Sequence, residues 1–173
     1  MTGRRLAWGG AATGAAILLS ALAWGLAHPA NVAADAVLGR AAPDLVVQGI
    51  DGGQASLSTL RGRPVVLNFW ASWCAPCRQE EAPLSAAAQR WGGRVAFLGV
   101  DFRDSPDAAR AAQDRARYPY PVGPARGGIP AAYGVNAPPE TFFIDDRGVV
   151  VARFLGPLDA DLIDRYLQLV RVR

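Results

Sequence analysis

The stretch Pro64-Val65-Val66-Leu67-Asn68-Phe69-Trp70-Ala71-Ser72-Trp73-Cys74-Ala75-Pro76-Cys77 decides how this chain is read. Residues 64–70 form an apolar run broken only by Asn68, the pattern of a strand buried on both faces. Two cysteines follow, separated by two residues. Cys74 to Trp91 (CAPCRQEEAPLSAAAQRW) reads as a helix, with Pro83 inside it as a kink. A Cys at a helix N-terminus faces unpaired backbone N–H groups and the positive end of the helix dipole. Both favour thiolate over thiol, and the thiolate is the attacking species in disulfide exchange. A two-residue spacer puts Cys77 one turn on, within reach of the Cys74 sulfur. In this reading Cys74 attacks a disulfide and Cys77 resolves the mixed disulfide that forms. Pro76 suits an early helical position, where its missing N–H has no intrahelical role.

Other readings of the pair are weaker. A structural zinc site needs about four ligands, whereas the chain has two Cys and one His, and His28 lies far upstream. A structural disulfide closing so small a ring removes little chain entropy. Inert cysteines do not require a strand-to-helix junction. A copper chaperone holding Cu(I) through Cys74 and Cys77 as soft ligands is the alternative function; it lacks a supporting Met, since Met1 is the only methionine.

Working outward, Val95 to Phe102 is the next buried strand, and Ser105-Pro106 is an N-cap with proline at the first helical position, opening a helix to about Arg117. Tyr118 to Gly128 is Pro- and Gly-rich and reads as irregular, and Ile129 to Tyr133 as one helical turn. Thr141–Asp145 and Val149–Phe154 flank the turn Asp146-Arg147-Gly148 as a hairpin. Asp159 caps a last helix, Ala160 to Val172, with Leu162, Ile163, Tyr166, Leu167 and Val170 on one stripe. Upstream, Leu45-Val46-Val47 and Ala55-Ser56-Leu57 flank the turn Asp51-Gly52-Gly53, and Ser58-Thr59-Leu60 forms a helical turn. The alternation implies an α/β domain with one mixed sheet and helices on both faces.

The N-terminus is different. Arg4 and Arg5 precede Leu6 to Ala27, 22 residues without a charge. As a helix that spans roughly 33 Å, enough for a bilayer core. Its length favours an uncleaved membrane anchor; Gly9, Gly10, Gly14 and Gly25 dilute its hydrophobicity and favour a cleaved signal peptide. Residues 1–34 are therefore a signal or anchor, 35–42 a small-residue tether, and 43–173 the folded domain. Either way the domain is expected outside the cytoplasmic membrane. Removing residues 1–34, which carry Arg4 and Arg5 and no acid, lowers the formal net charge from +3 to +1. No basic run remains to track phosphates, so no nucleic-acid partner is expected.

Residues 64–80 (PVVLNFWASWCAPCRQE) resemble the active-site segment of the thioredoxin superfamily, most closely its membrane-tethered TlpA/ResA/CcmG-like branch. Arg40–Leu45 (RAAPDL), Tyr133-Gly134-Val135 and Pro139–Gly148 (PETFFIDDRG) agree with that branch. The resemblance covers about residues 39–172. It implies a thioredoxin fold, a mixed central sheet flanked by helices, with an N-terminal β-hairpin and a central insert. It also implies that Pro139 is a cis proline beside the cysteine pair. Asn68 stands where cytosolic thioredoxin has a buried proton-transferring aspartate. Glu80, one helical turn after Cys77, is the candidate to replace it; Glu81 reads as a solvated charge.

The resemblance makes the residues around the groove substrate-binding candidates: Trp73 and the spacer Ala75-Pro76 at the rim, Pro138 before the cis proline, and Glu140 after it. Pro138 departs from the family pattern, because a proline offers a bound peptide only its carbonyl. The implied activity is exported thiol–disulfide exchange in the reducing direction. The implied partners are a protein-disulfide substrate such as apocytochrome c and a membrane thiol–disulfide electron donor. No G-x-G-x-x-G follows a strand, so no flavin or nicotinamide cofactor is expected; the redox group is the Cys74–Cys77 pair itself. A peroxidase of the peroxiredoxin type is disfavoured, because no Thr-containing cysteine loop is found.

Overall fold

A computed structural model describes residues 14–24 and 37–170. The chain divides into two compact units, Met1–Val32 and Ala33–Arg173. In the first, residues 14–24 are helical, and Ile17, Leu18, Leu19, Leu22 and Trp24 are exposed. The rest of the segment read as signal or anchor lies outside the described residues. Among the described residues no helix is long and apolar enough to cross a membrane.

The second unit is built on the strand quoted above. Val65–Trp70, numbered β3, is buried at every position. It pairs in parallel with β4 (Ala96–Asp101) and antiparallel with β6 (Glu140–Ile144). A short β5 (Val122–Pro124) and β7 (Val150–Leu155) complete a five-stranded mixed sheet in the order β5-β4-β3-β6-β7. The parallel β3–β4 pair needs a crossover, and α1 (Cys77–Trp91) supplies it. Helices α2 (Pro106–Ala116) and α3 (Ala160–Leu169) follow β4 and β7. Their caps are those read in the sequence: Ser105 accepts from the Ala108 amide, and Asp159 from the Leu162 amide. An N-terminal hairpin, β1 (Val46–Gln48) with β2 (Gln54–Ser56), forms a separate two-stranded sheet, followed by a 3-10 turn at Leu57–Leu60.

The side chains of β3 alternate between two cores. Val65, Leu67 and Phe69 pack with Leu45, Val47, Leu57, Tyr133 and Phe142. Phe69, Tyr133 and Phe142 form a three-ring cluster in which centroids lie 5.1 to 5.6 Å apart, and each ring contributes roughly 1.5–3 kcal/mol by its burial. On the other face Val66 joins Leu84 and Ala87 of α1, Phe97, Phe143, and Ile163 and Leu167 of α3. Trp70 joins the two cysteines, Ala109 and Ala112 of α2, Tyr118 and Val122.

Five sequence expectations are corrected. The helix read from Cys74 begins at Cys77: residues 71–76 turn out of β3, with the Cys74 amide on the Ala71 carbonyl, and Pro76 stands at the cap with helical dihedrals. The stretch read as irregular contains β5, drawn into the sheet by pairing with β4; proline and glycine are tolerated there because it is an edge strand. The second half of the tether belongs to the fold. Val37 is buried, and residues 39–42 exchange backbone hydrogen bonds with Gly148 and Val150. The last helix ends at Leu169, and residues 171–173 lie outside the described residues. Helices on both faces were expected, but among the described residues the buried core around Phe69 draws on no α-helix. The hairpin and two 3-10 turns, Leu57–Leu60 and Ala131–Tyr133, cover it.

Candidate active site

Strand β3 ends at Trp70 and the chain turns through residues 71–76 before α1 begins. The Cys74 amide donates to the Ala71 carbonyl at 3.1 Å, and the Cys77 amide donates to Cys74 Sγ at 3.1 Å. One free N–H of the helix N-terminus is therefore spent on sulfur. Cys74 and Cys77 form a disulfide with their Cα atoms 5.3 Å apart. They are only 3% and 2% exposed. Trp73, at 57%, and the spacer Ala75-Pro76 are the exposed parts of the junction.

The Pro138–Pro139 peptide bond is cis, as the resemblance implies. The register places Glu140 opposite Phe69, so Pro139 sits at the end of the sheet where the cysteine turn begins. Pro139 is buried and its carbonyl accepts from the Gly156 amide at 3.0 Å; Pro138 is half-buried. Glu140, expected to present a carboxylate at the groove, is only 1% exposed, and its Oε1 accepts from Arg153 Nε at 2.5 Å. It shares a sheet face with Phe69 and Phe142, where Arg153 lies over the Phe142 ring. Alternation sends it away from the helices, to the other side of the sheet.

Glu80 is the acidic residue nearest in sequence to the disulfide, and it is buried, 1% exposed. Asn68 Nδ2 donates to its Oε1 at 2.8 Å and the Leu158 amide donates to its Oε2 at 3.1 Å. Asn68 also donates to Thr141 Oγ1 at 3.0 Å, tying α1, β3 and β6 together two residues past the cis proline. Burial pushes the Glu80 carboxyl up to about 7, although both hydrogen bonds oppose the shift. A carboxyl poised there can take or give a proton at neutral pH. Its neighbour Glu81, read as solvated, is largely covered and pairs with Arg115 of α2 at 2.8 Å.

Three features carried no local signal in the sequence. Tyr118 packs on Trp70 with centroids 5.7 Å apart and borders the cysteine cluster; burial holds its hydroxyl well above the usual range. Asp104 accepts from both the amide and the hydroxyl of Ser72, each at 2.6 Å, two residues before Cys74. Asp101, at the end of β4, is buried, and burial together with the Asp104 charge pushes it up to about 7. Each is more than twenty residues from the cysteines in sequence, so only the sheet order brings it to them. Among the described residues no group of three His, Cys, Asp or Glu could hold a metal ion; His28 lies outside the described residues.

Residues 38–153 match the model of the AhpC/TSA family. The thioredoxin-like protein YneN of Bacillus subtilis is 31% identical over 134 residues, 76% of this chain and 79% of that protein. A thiol:disulfide interchange protein DsbE homolog of Paracoccus denitrificans is 36% identical over 137 residues, 76% of this chain and 74% of that protein. Among solved structures, a thiol:disulfide interchange protein of the thioredoxin family from Chlorobium tepidum superposes with a TM-score of 0.69 at 25% identity, covering 75% of this chain and 94% of that one. With its disulfide at the strand-to-helix junction and a cis proline at the same end of the sheet, the chain belongs to the AhpC/TSA family and is a thioredoxin-like protein-disulfide oxidoreductase.

Proposed function

We propose that this oxidoreductase is exported, held at the outer face of the cytoplasmic membrane by its N-terminal segment, and reduces protein disulfides of the kind met in cytochrome c maturation. The observation that carries the assignment of roles is the Cys77 amide on Cys74 Sγ. When the disulfide is opened, that N–H stabilises charge on the Cys74 sulfur and makes it the nucleophile.

The reaction then runs in two exchanges. The Cys74 thiolate attacks one sulfur of a client disulfide. A Cys74–client bond forms, the client S–S bond breaks, and the second client sulfur leaves as a thiolate. Cys77 gives its proton to the Glu80 carboxylate and attacks Cys74 Sγ. The Cys74–Cys77 disulfide forms and the first client sulfur leaves. The client has gained two electrons and this protein has lost them. A membrane dithiol of a donor protein returns the electrons by the same exchanges in reverse. Trp73, Ala75, Pro76 and the Pro138 carbonyl offer the surface against which the client segment lies, and Pro139 shapes the groove floor. Glu140 supports that floor from below through Arg153. The reducing direction and the apocytochrome client rest on the resemblance to the ResA/CcmG-like branch.

Trapping tests this reading. In Cys77→Ser the second exchange is blocked, so Cys74 accumulates as a mixed disulfide with its client, identifiable by mass spectrometry from membranes. Cys74→Ser is expected to trap nothing. Equal trapping by both variants overturns the assignment of roles. Stoichiometric, tight Cu(I) binding by the reduced protein, with no disulfide reduction, would favour the copper chaperone instead.

A further inference from the structure

We propose that Asp104 is a positioning residue for the nucleophile: by clamping the Ser72–Trp73 turn, its carboxylate keeps Cys74 Sγ on the Cys77 amide once the disulfide has opened. The inference rests on the role given to Cys74 above.

The loop between β4 and α2 is shaped to bring this carboxylate back to the cysteine turn. The Phe102 amide donates to the Trp70 carbonyl at 2.8 Å, carrying the contact between β4 and β3 one residue past the sheet. Arg103 then takes a left-handed conformation, with φ 58°, which a residue bearing a Cβ adopts only at a cost. That reversal turns Asp104 toward Ser72. Ser105 immediately caps α2 and anchors the far side of the loop. Both oxygens of Asp104 are used: Oδ2 accepts from the Ser72 amide and Oδ1 from the Ser72 hydroxyl, each at 2.6 Å. Asp101 supports the arrangement from below by accepting from the Asp104 amide.

The clamp matters in one redox state more than the other. In the disulfide form the S–S bond holds Cys74 against α1. In the dithiol form that covalent tie is gone, and Trp73, Ala75 and Pro76 are all exposed and give the turn little packing. What holds residues 72–74 is then the Cys74 amide on Ala71 and the pair of Ser72–Asp104 bonds. A hydrogen bond to sulfur is directional, so a turn free to swing leaves the thiolate without its donor.

A carboxylate charge disfavours a neighbouring thiolate, so any effect of the Asp104 charge on Cys74 opposes that of the clamp. The two effects have opposite signs and are separable. Asp104→Ala removes clamp and charge together. Asp104→Asn removes the charge and alters the side-chain contact with Asp101 but keeps the clamp, since its amide still accepts from the Ser72 N–H and donates to the Ser72 hydroxyl. Ser72→Ala removes one of the two bonds and leaves the charge.

The experiment is iodoacetamide alkylation of the reduced full-length chain in detergent at a pH of about 6, with adducts on Cys74 and Cys77 counted separately, alongside the reduction potential. In Asp104→Ala, Cys74 is expected to react about tenfold more slowly. The potential should become more negative by about 30 mV, the equivalent of a tenfold change for two electrons. Asp104→Asn is expected to stay within about threefold of wild type, and Ser72→Ala to fall between. If Asp104→Asn loses as much as Asp104→Ala, or if Asp104→Ala reacts at the wild-type rate, the clamp is not what matters. If Asp104→Ala does not fold, Ser72→Ala decides, because a wild-type rate and potential there overturn the proposal. Failure of the underlying role looks different: Cys74 of the wild type would then react no faster than Cys77.

Discussion

At Glu80 burial and hydrogen bonding oppose each other, and burial wins. Its carboxyl is pushed from its ordinary value of 4.5 up to about 7, so the folded protein holds that proton more tightly than the unfolded chain does. The stability this group contributes is full below its unfolded value and is lost as pH rises toward its folded value. Over that window the loss is on the order of 3 kcal/mol. Glu80→Gln cannot ionise, so urea midpoints at about pH 4.5 and about pH 8 should show the wild type losing stability and the variant losing less. A parallel loss in both proteins would mean that other carboxyls carry the effect. The same variant tests chemistry. Release of client from the Cys74 mixed disulfide, followed by stopped flow at neutral pH, is expected to slow on the order of a hundredfold if Glu80 takes the Cys77 proton. An unchanged release rate would leave Glu80 a purely structural ligand of Asn68 and Leu158.

At the scale of elements, the junctions are tighter than the strands they join. A Cβ at Gly123 in β5 would lie 1.9 Å from the Gln48 carbonyl of β1, a backbone atom that cannot swing aside. The β1–β2 hairpin thus packs against the edge of the main sheet only because position 123 lacks a side chain. Gly123→Ala is expected to cost about 3 kcal/mol and to release hydrogen-exchange protection at Ile50, whose amide donates to Val122. Retained protection there would show that the hairpin is held chiefly by Val47 and Leu57 in the core. Gly99 serves the site differently. A Cβ there would meet Val122 Cγ1 at 2.6 Å and Trp70 Nε1 at 3.1 Å. Its absence leaves room for the indole that backs the cysteine pair.

For the whole molecule, the two units assign different work to different parts of the chain. The unit Ala33–Arg173 contains every residue given a part in the exchange chemistry above. A fragment of residues 33–173 is expected to fold, unfold cooperatively and reduce a soluble disulfide such as insulin at the rate of the full chain. The full chain should sediment with membranes after carbonate washing and the fragment should not. Recovery of both in the soluble fraction would remove the anchor. Much of this organisation was legible from residues alone. An apolar run of strand length, two cysteines after it, cap residues Ser105 and Asp159, and the turn at Asp146–Gly148 are local signals. Periodicity and capping follow from chemistry within a few residues of each position, and they determined the alternation of strands and helices, the redox pair and the caps. Tertiary structure alone decided the rest. It drew a Pro- and Gly-rich stretch into β5, turned Glu140 away from the groove, paired Glu81 with Arg115, and brought Asp104 to Ser72 across 32 residues. These depend on which strands become neighbours and on how much water each group loses there, and neither quantity is local to the sequence.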